Sequence, residues 1–231
     1  MRLHTGEPAA GPWAAATSAE LLRLLDAAAG LVGGRPRIVA VDGRSAGGKT
    51  TLAARLHAAV PASAVVHTDD VAWNESWFGW APLLAHGVLE PVRHRAGVRF
   101  QPPSWPAHGR DGAIEVPAGL DLVIVEGVGA SQRALSGLLD AAVWVQSDAA
   151  EAERRGIARD IALGVNGDED ASIAFWHEWM AQEAPFLAAD RPWERADVIA
   201  CGTPALAAPD GAALGEDSVL VASRHVAKQD G

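Results

Sequence analysis

The segment Gly43-Arg44-Ser45-Ala46-Gly47-Gly48-Lys49-Thr50 fills every fixed position of the pattern G-x-x-x-x-G-K-[ST]. The chemistry of that pattern is phosphate binding. Glycines let the backbone turn tightly enough to aim successive N–H groups at anionic oxygens. The lysine reaches the β- and γ-phosphates of a nucleotide, and the hydroxyl that follows ligates Mg²⁺. Lys49 is one of only two lysines in 231 residues, and the other, Lys228, lies three residues from the end. The remaining basic side chains are arginine, so lysine persists where a nucleotide needs it. Gly43, Ser45, Ala46, Gly47, Gly48, Lys49, Thr50 and Thr51 are the expected nucleotide contacts.

Further groups fit phosphoryl transfer. Leu122-Val123-Ile124-Val125 is an apolar run that ends in Glu126-Gly127. Parallel α/β sheets place ligands at the C-terminal ends of their strands, and a carboxylate there orders Mg²⁺ directly or through water. His67-Thr68-Asp69-Asp70 follows a second apolar run, so Asp69 and Asp70 are candidates for the base beside an acceptor hydroxyl. Thr50, Glu126 and Asp69 are the candidate metal-side residues. Arg155 and Arg159 lie four apart in Glu151–Asp160 and share one face of a helix. Arginines so placed offset the charge of a moving phosphoryl group.

These groups need elements to hold them. Short apolar runs at 38–41, 64–67, 122–125, 142–145 and 197–200 read as strands covered on both faces, as in a parallel sheet. Helical patterns fall at 18–32 (with Ser18 as N-cap), 50–59, 131–139, 149–163 and 171–189. Strand and helix alternate, which predicts a three-layer α/β fold around a five-stranded parallel sheet. The expected organisation is an N-terminal helix and lead-in over 1–34, a phosphate-binding domain over 35–208 and a tail over 209–231. Ser218–Ala222 could add a late strand. Residues 73–119 break the rhythm, being rich in Trp, Pro, His, Gly and Arg, and read as an irregular functional insertion. Their aromatic content argues against disorder.

The net charge of −10 argues against general nucleic-acid binding. Cys201 stands alone, so no intrachain disulfide forms, and a reducing compartment is expected. Residues 1–12 contain no apolar signal core, and the stretch 21–32 is broken by Arg23 and Asp26 and too short to span a bilayer. A cytoplasmic protein without membrane partner is the expectation, with monomer and homodimer both open.

As an ordered set, these motifs resemble the uridine kinase-like group of P-loop kinases, relatives of phosphoribulokinase and pantothenate kinase. The shared order is Gly43–Thr50, Asp69-Asp70, Val123–Gly127, Arg154–Asp160 and the late strand Ala196–Ile199, spanning about residues 35–204. The resemblance implies a P-loop NTPase fold, ATP with Mg²⁺, and transfer of the γ-phosphate to a hydroxyl of a small nucleoside-like or sugar-like metabolite. It implies Asp69 as acceptor-side base, Thr50 as Mg²⁺ ligand and Glu126 as metal-side acid. Arg155 and Arg159 become arginines of a lid over 150–170. Cys201-Gly202-Thr203-Pro204 becomes the adenine-side loop, adding Gly202 and Thr203 to the nucleotide contacts. Where the family follows its Asp with a small residue and then Phe-Tyr, this chain has Asp69-Asp70-Val71-Ala72-Trp73 and no tyrosine at all. The acceptor candidates are therefore Trp73, Trp77, Arg93, Arg99 and Trp105. Aromatic walls suit a base or sugar face, and arginines suit an anionic group. Trp73, Trp77 and Trp80 also fit one helical face.

Trp176, Trp179 and Met180 fall at helical spacing and read as core packing. The histidines, His67 among them, show no metal-binding spacing. Asp168-Glu169-Asp170 reads as a solvated loop leading into the next helix. The competing functional class is a nucleotide-dependent switch or regulatory ATPase without a small acceptor. A GTPase form of it lacks a guanine reader, since Ala227-Lys228-Gln229-Asp230 misses the first residue of that motif. A third reading is a scaffold that binds nucleotide without turnover.

Overall fold

The computed structural model describes residues 1–202, 215 and 217–223. Thr203, Pro204 and most of the tail lie outside them. The strands β1 (Ala14–Thr17), β2 (Arg37–Gly43), β3 (Ser63–His67), β6 (Leu122–Glu126), β7 (Ala141–Gln146), β8 (Val198–Cys201) and β9 (Ser218–Ser223) form one sheet. Its order is β1-β9-β8-β7-β2-β6-β3. The five strands expected from the apolar runs are its parallel part, with β2 seated between β6 and β7. Two antiparallel pairings, β8–β9 and β9–β1, extend it to seven.

Alternation along each strand divides the core. Val39, Val41, Leu122 and Ile124 face α1 (Ser18–Ala29) and α2 (Lys49–Ala59), packing on Leu21, Leu25, Leu52 and Leu56. Thr17 rather than Ser18 caps α1, in a capping box with Glu20. Ile38, Ala40, Val123 and Val125 face the opposite layer. Residues 73–119 build much of that layer, which corrects the irregular reading. They contain α4 (Ala81–Leu84), a π turn (Ala85–Leu89), α5 (Glu90–Arg93), α6 (Ser104–Ala107) and a hairpin of β4 (Val98–Phe100) with β5 (Ile114–Val116). Leu84, Val88, Leu89 and Val92 are buried against the sheet. Pro82 and Pro91 each occupy a first-turn position, where the missing N–H costs nothing, and so the helical segments have no clean period to read.

Residues 73–80 are not a helix. After α3 (Thr68–Ala72) the chain turns, with Asn74 and Phe78 at positive φ, so Trp73, Trp77 and Trp80 do not share a helical face. A 3-10 turn occupies Arg133–Leu138 where a helix was expected. α7 (Ala149–Leu163) matches its expected span and is capped by Asp148. α8 runs from Glu169 to Asp190 with Asp168 as N-cap, so that acidic triplet starts a helix. Among the described residues, no helix is long and apolar enough to cross a membrane.

Candidate active site

The strands β2, β3 and β6 end at one edge, and the loops leaving them converge. The loop after β2 turns into α2 through Gly48, the N-cap residue at φ 101, a conformation open to glycine. Lys49 is buried and its Nζ donates to the Arg44 carbonyl at 2.9 Å, so the ammonium lies over the loop it serves. Thr50 Oγ1 donates to Glu126 Oε1 at 3.0 Å, and His67 Nδ1 is 3.1 Å from the same oxygen. Glu126 Oε2 is buried and has no hydrogen-bond partner. Burial alone would raise the Glu126 carboxyl, but the His67 bond, Lys49 and the Thr50 bond together hold it below its ordinary range. The same contact holds His67 above the usual imidazole value.

Asp69 and Asp70, adjacent on α3, part company. Asp69 lines the cleft with Lys49 and Glu126. Its carboxyl is held above the ordinary aspartate range, first by burial and further by Glu126, against the opposing pull of Lys49. Asp70 instead pairs with Arg110. That guanidinium stacks 3.7 Å from the Trp105 ring centroid, and Trp105 Nε1 donates to the Asp70 carbonyl at 2.8 Å. Asp70 and Trp105 thus tie the insertion to α3 and do not line the cleft.

A cavity of about 700 Å³ opens beside these groups. Ser45 to Thr50, Asp69, Glu126 and Arg159 border it, as do Trp73 and Trp77. Trp176 and Trp179 of α8 also form its wall, which corrects their reading as core alone. Helical spacing shows which face a residue occupies, not whether that face meets the core or a cleft. Arg159 pairs with Asp160 at 2.8 Å. Arg155 points elsewhere, its two terminal nitrogens each 3.2 Å from the Gly202 carbonyl. Gly202 comes so close to the phosphate-binding loop that a Cβ there would lie 1.9 Å from the Gly47 carbonyl. Thr51 is exposed on α2, away from the cavity.

The two acceptor-side arginines stand apart. Arg93 is 3.6 Å from Asp140, which also pairs with Arg35. Asp140 immediately precedes β7 and Arg35 lies two residues before β2, so Arg93 sits at the N-terminal edge of the sheet, opposite the loop. Arg99 on β4 pairs with Glu115 on β5 and is largely exposed. Neither borders the cavity.

Three acids with structural roles at this edge were not singled out. Asp42 ends β2 fully buried and accepts from the amides of Gly43, Gly129 and Ser131 and from the Ser131 hydroxyl, at 2.7–2.9 Å. An acid ending an apolar strand was its readable signal. Glu183 of α8 is fully buried, accepts the Ser45 amide at 3.2 Å on each oxygen, and accepts Trp179 Nε1 at 2.6 Å. Glu7 lies 3.7 Å from Arg44 and accepts from Trp144 Nε1 at 2.6 Å and Gln146 at 2.9 Å. Nothing local in the sequence marks their roles at this edge, because the contacts of Glu183 to Ser45 and of Glu7 to Arg44, Trp144 and Gln146 join distant parts of the chain.

Among the described residues there is no group of three or more His, Cys, Asp or Glu placed to hold a metal. Mg²⁺ in phosphoryl-transfer sites needs only one or two carboxylates plus phosphate oxygens. The Thr50 hydroxyl and the orphaned Glu126 Oε2 fit that limited role.

No protein-family description and no curated protein matches the chain. Solved structures do. A proposed fructose transport system kinase from Silicibacter sp. TM1040 superposes with a TM-score of 0.52 at 22% identity, over 78% of this chain and 95% of that one. A possible uridine kinase from Bacillus stearothermophilus gives 0.43 at 18% identity, over 78% and 98%. At such identity the first likeness speaks for fold and not for substrate. The chain shares the three-layer α/β fold of that first structure, as its alternating strands and helices implied.

Proposed function

We propose that the chain is an ATP-dependent kinase that transfers the γ-phosphoryl group to a hydroxyl of a small molecule. The observation that carries this reading is a single cleft holding Lys49, Thr50, Glu126 and Asp69 beside a cavity large enough for a metabolite. In this reading the loop amides and Lys49 hold the β- and γ-phosphates. Thr50 and Glu126 would hold Mg²⁺, which would supply positive charge against the phosphates. The acceptor hydroxyl lies against Asp69. As its oxygen bonds to the γ-phosphorus, its proton passes to the Asp69 carboxylate, and the bond from phosphorus to the ADP oxygen breaks. A carboxyl held above its ordinary range keeps that proton more readily than a free aspartate does. Arg159, on the cavity wall, is the arginine best positioned to offset charge on the moving group. Arg155 serves the Gly202 side, where the nucleotide base would lie.

The test is phosphoryl transfer from ATP to pooled nucleosides, sugars, vitamin precursors and amino alcohols, read by mass spectrometry. Lys49→Ala is expected to abolish product. Asp69→Asn should lower turnover by roughly 10²–10⁴-fold while ATP still binds. Full activity in Lys49→Ala would sink the kinase reading, and undiminished turnover in Asp69→Asn would remove the base assignment. ATP hydrolysis with no phosphorylated acceptor would favour a regulatory ATPase.

A further inference from the structure

We infer that the acceptor is a cation: an alcohol bearing an amine or quaternary ammonium group, seated against the tryptophan wall. The inference rests on the kinase reading for the word acceptor, but the cavity's preference for positive charge stands independently of it. Among the described residues, the cavity is bordered by four carboxylates, Asp69, Glu75, Glu126 and Asp160, and by two cations, Lys49 and Arg159. Lys49 lies over the phosphate-binding loop, and Arg159 is engaged by Asp160. No other described cation faces the space, since Arg93 and Arg99 are held by Asp140 and Glu115 away from it.

Glu75 is the acid left over. It is half-buried on the turn after α3 and borders the cavity between Trp73 and Trp77 in sequence, with no ion pair or side-chain hydrogen bond among the described residues. The wall beside it is aromatic. Trp77 and Trp179 meet at 5.1 Å between centroids with their planes 65° apart, which forms a corner rather than a flat shelf. Aromatic faces carry negative quadrupoles and attract ammonium groups, most strongly where water is excluded. The insertion already pairs cation and indole in this way, with the Arg110 guanidinium 3.7 Å from the Trp105 centroid and 5.5 Å from that of Trp73. A bound nucleotide adds further negative charge at the far end of the cavity. Beyond Lys49 and Arg159, an anionic acceptor would therefore meet like charge and aromatic faces. A neutral acceptor would leave Glu75 facing solvent alone.

The experiment compares two alcohols of the same shape, choline and 3,3-dimethyl-1-butanol, which differ in having nitrogen or carbon at the branch point. Each is titrated into the full chain without nucleotide, following tryptophan fluorescence and heat. Choline is expected to bind about tenfold tighter or better. Glu75→Gln, at a half-exposed position where the amide fits, should shrink that ratio to within about threefold, and added salt should weaken choline more than its neutral twin. Equal binding, tighter binding of the neutral alcohol, or a ratio unchanged in Glu75→Gln would overturn the inference. The kinase reading is scored separately, by mass spectrometry of the same mixtures with ATP. Phosphorylation of neutral alcohols without a charge preference keeps the kinase and discards the cation. Charge-selective binding with no phosphorylated product from any acceptor does the reverse.

Discussion

Gly156 of α7 lies directly against Trp176 of α8, and replacing it with alanine sets two effects of opposite sign against each other. A Cβ built there would lie 1.9, 2.5 and 2.7 Å from three carbons of the Trp176 six-membered ring. Trp176 is 4% exposed and borders the cavity, so it has little room to retreat. In a helix interior, alanine is favoured over glycine by about 0.5–1 kcal/mol. Forcing a methyl into a packed contact costs about 1–3 kcal/mol. The clash is with a rigid ring rather than a flexible chain end, so the packing cost should prevail, for a net loss of about 1–2 kcal/mol. In a chain of this length each kcal/mol lowers Tm by about 2–4 °C, and calorimetry resolves that easily. A double-mutant cycle isolates the cause: Trp176→Phe removes the ring that clashes, so it should be less harmful in the Gly156→Ala background than alone. A displaced indole should also weaken acceptor binding more than ATP binding. A Tm for Gly156→Ala equal to or above that of the parent, or strictly additive effects of the two changes, would refute the close-approach argument.

The imidazole of His4 is stacked on Trp193 at 6.1 Å, and burial, with Arg44 nearby, lowers its pKa from 6.5 to about 4. The folded chain therefore stays neutral there while the unfolded chain takes up a proton below pH 6.5, so stability is lost as pH falls toward about 4. Between pH 7 and 5 this amounts to about 2 kcal/mol, read as a shift in urea midpoint that His4→Gln should largely remove. For Asp69 the raised carboxyl places the acid limb of kcat above 3.8, the ordinary aspartate value; a pH–rate profile with its midpoint at or below that value would contradict the burial argument. Glu7→Ala would strip a buried carboxylate from Trp144, Gln146 and Arg44, for an expected loss of about 2–4 kcal/mol by chemical denaturation, with Glu7→Gln retaining part of it. The same change should weaken ATP binding, because Arg44 lies within the phosphate-binding loop.

What could be read from the sequence was what is encoded by neighbours in the chain. The parallel strands are continuous apolar runs, and α7 begins at an Asp cap and ends at Gly164 in the left-handed conformation; both signals lie inside a few residues. β1 escaped because Ala14–Thr17 is a bland stretch that pairs with β9, about two hundred positions away. The insertion hid its helices behind Pro82 and Pro91. The same division runs through the site. Phosphate binding is a contiguous octapeptide, since backbone amides and one lysine suffice for it. Discrimination between Asp69 and Asp70 depends on Arg110, forty positions further on, and the cavity wall joins residues 73–80 to 175–179 across the fold. An arginine's type fixes its charge but not its partner, which is why Arg93 and Arg99 read as ligands for an anion and proved to be bound to carboxylates elsewhere. With those two removed, carboxylates outnumber cations along the cavity. The phosphate-binding motif is thus encoded by local sequence, whereas the charge lining the cavity beside it is set by which side chains the fold gathers there.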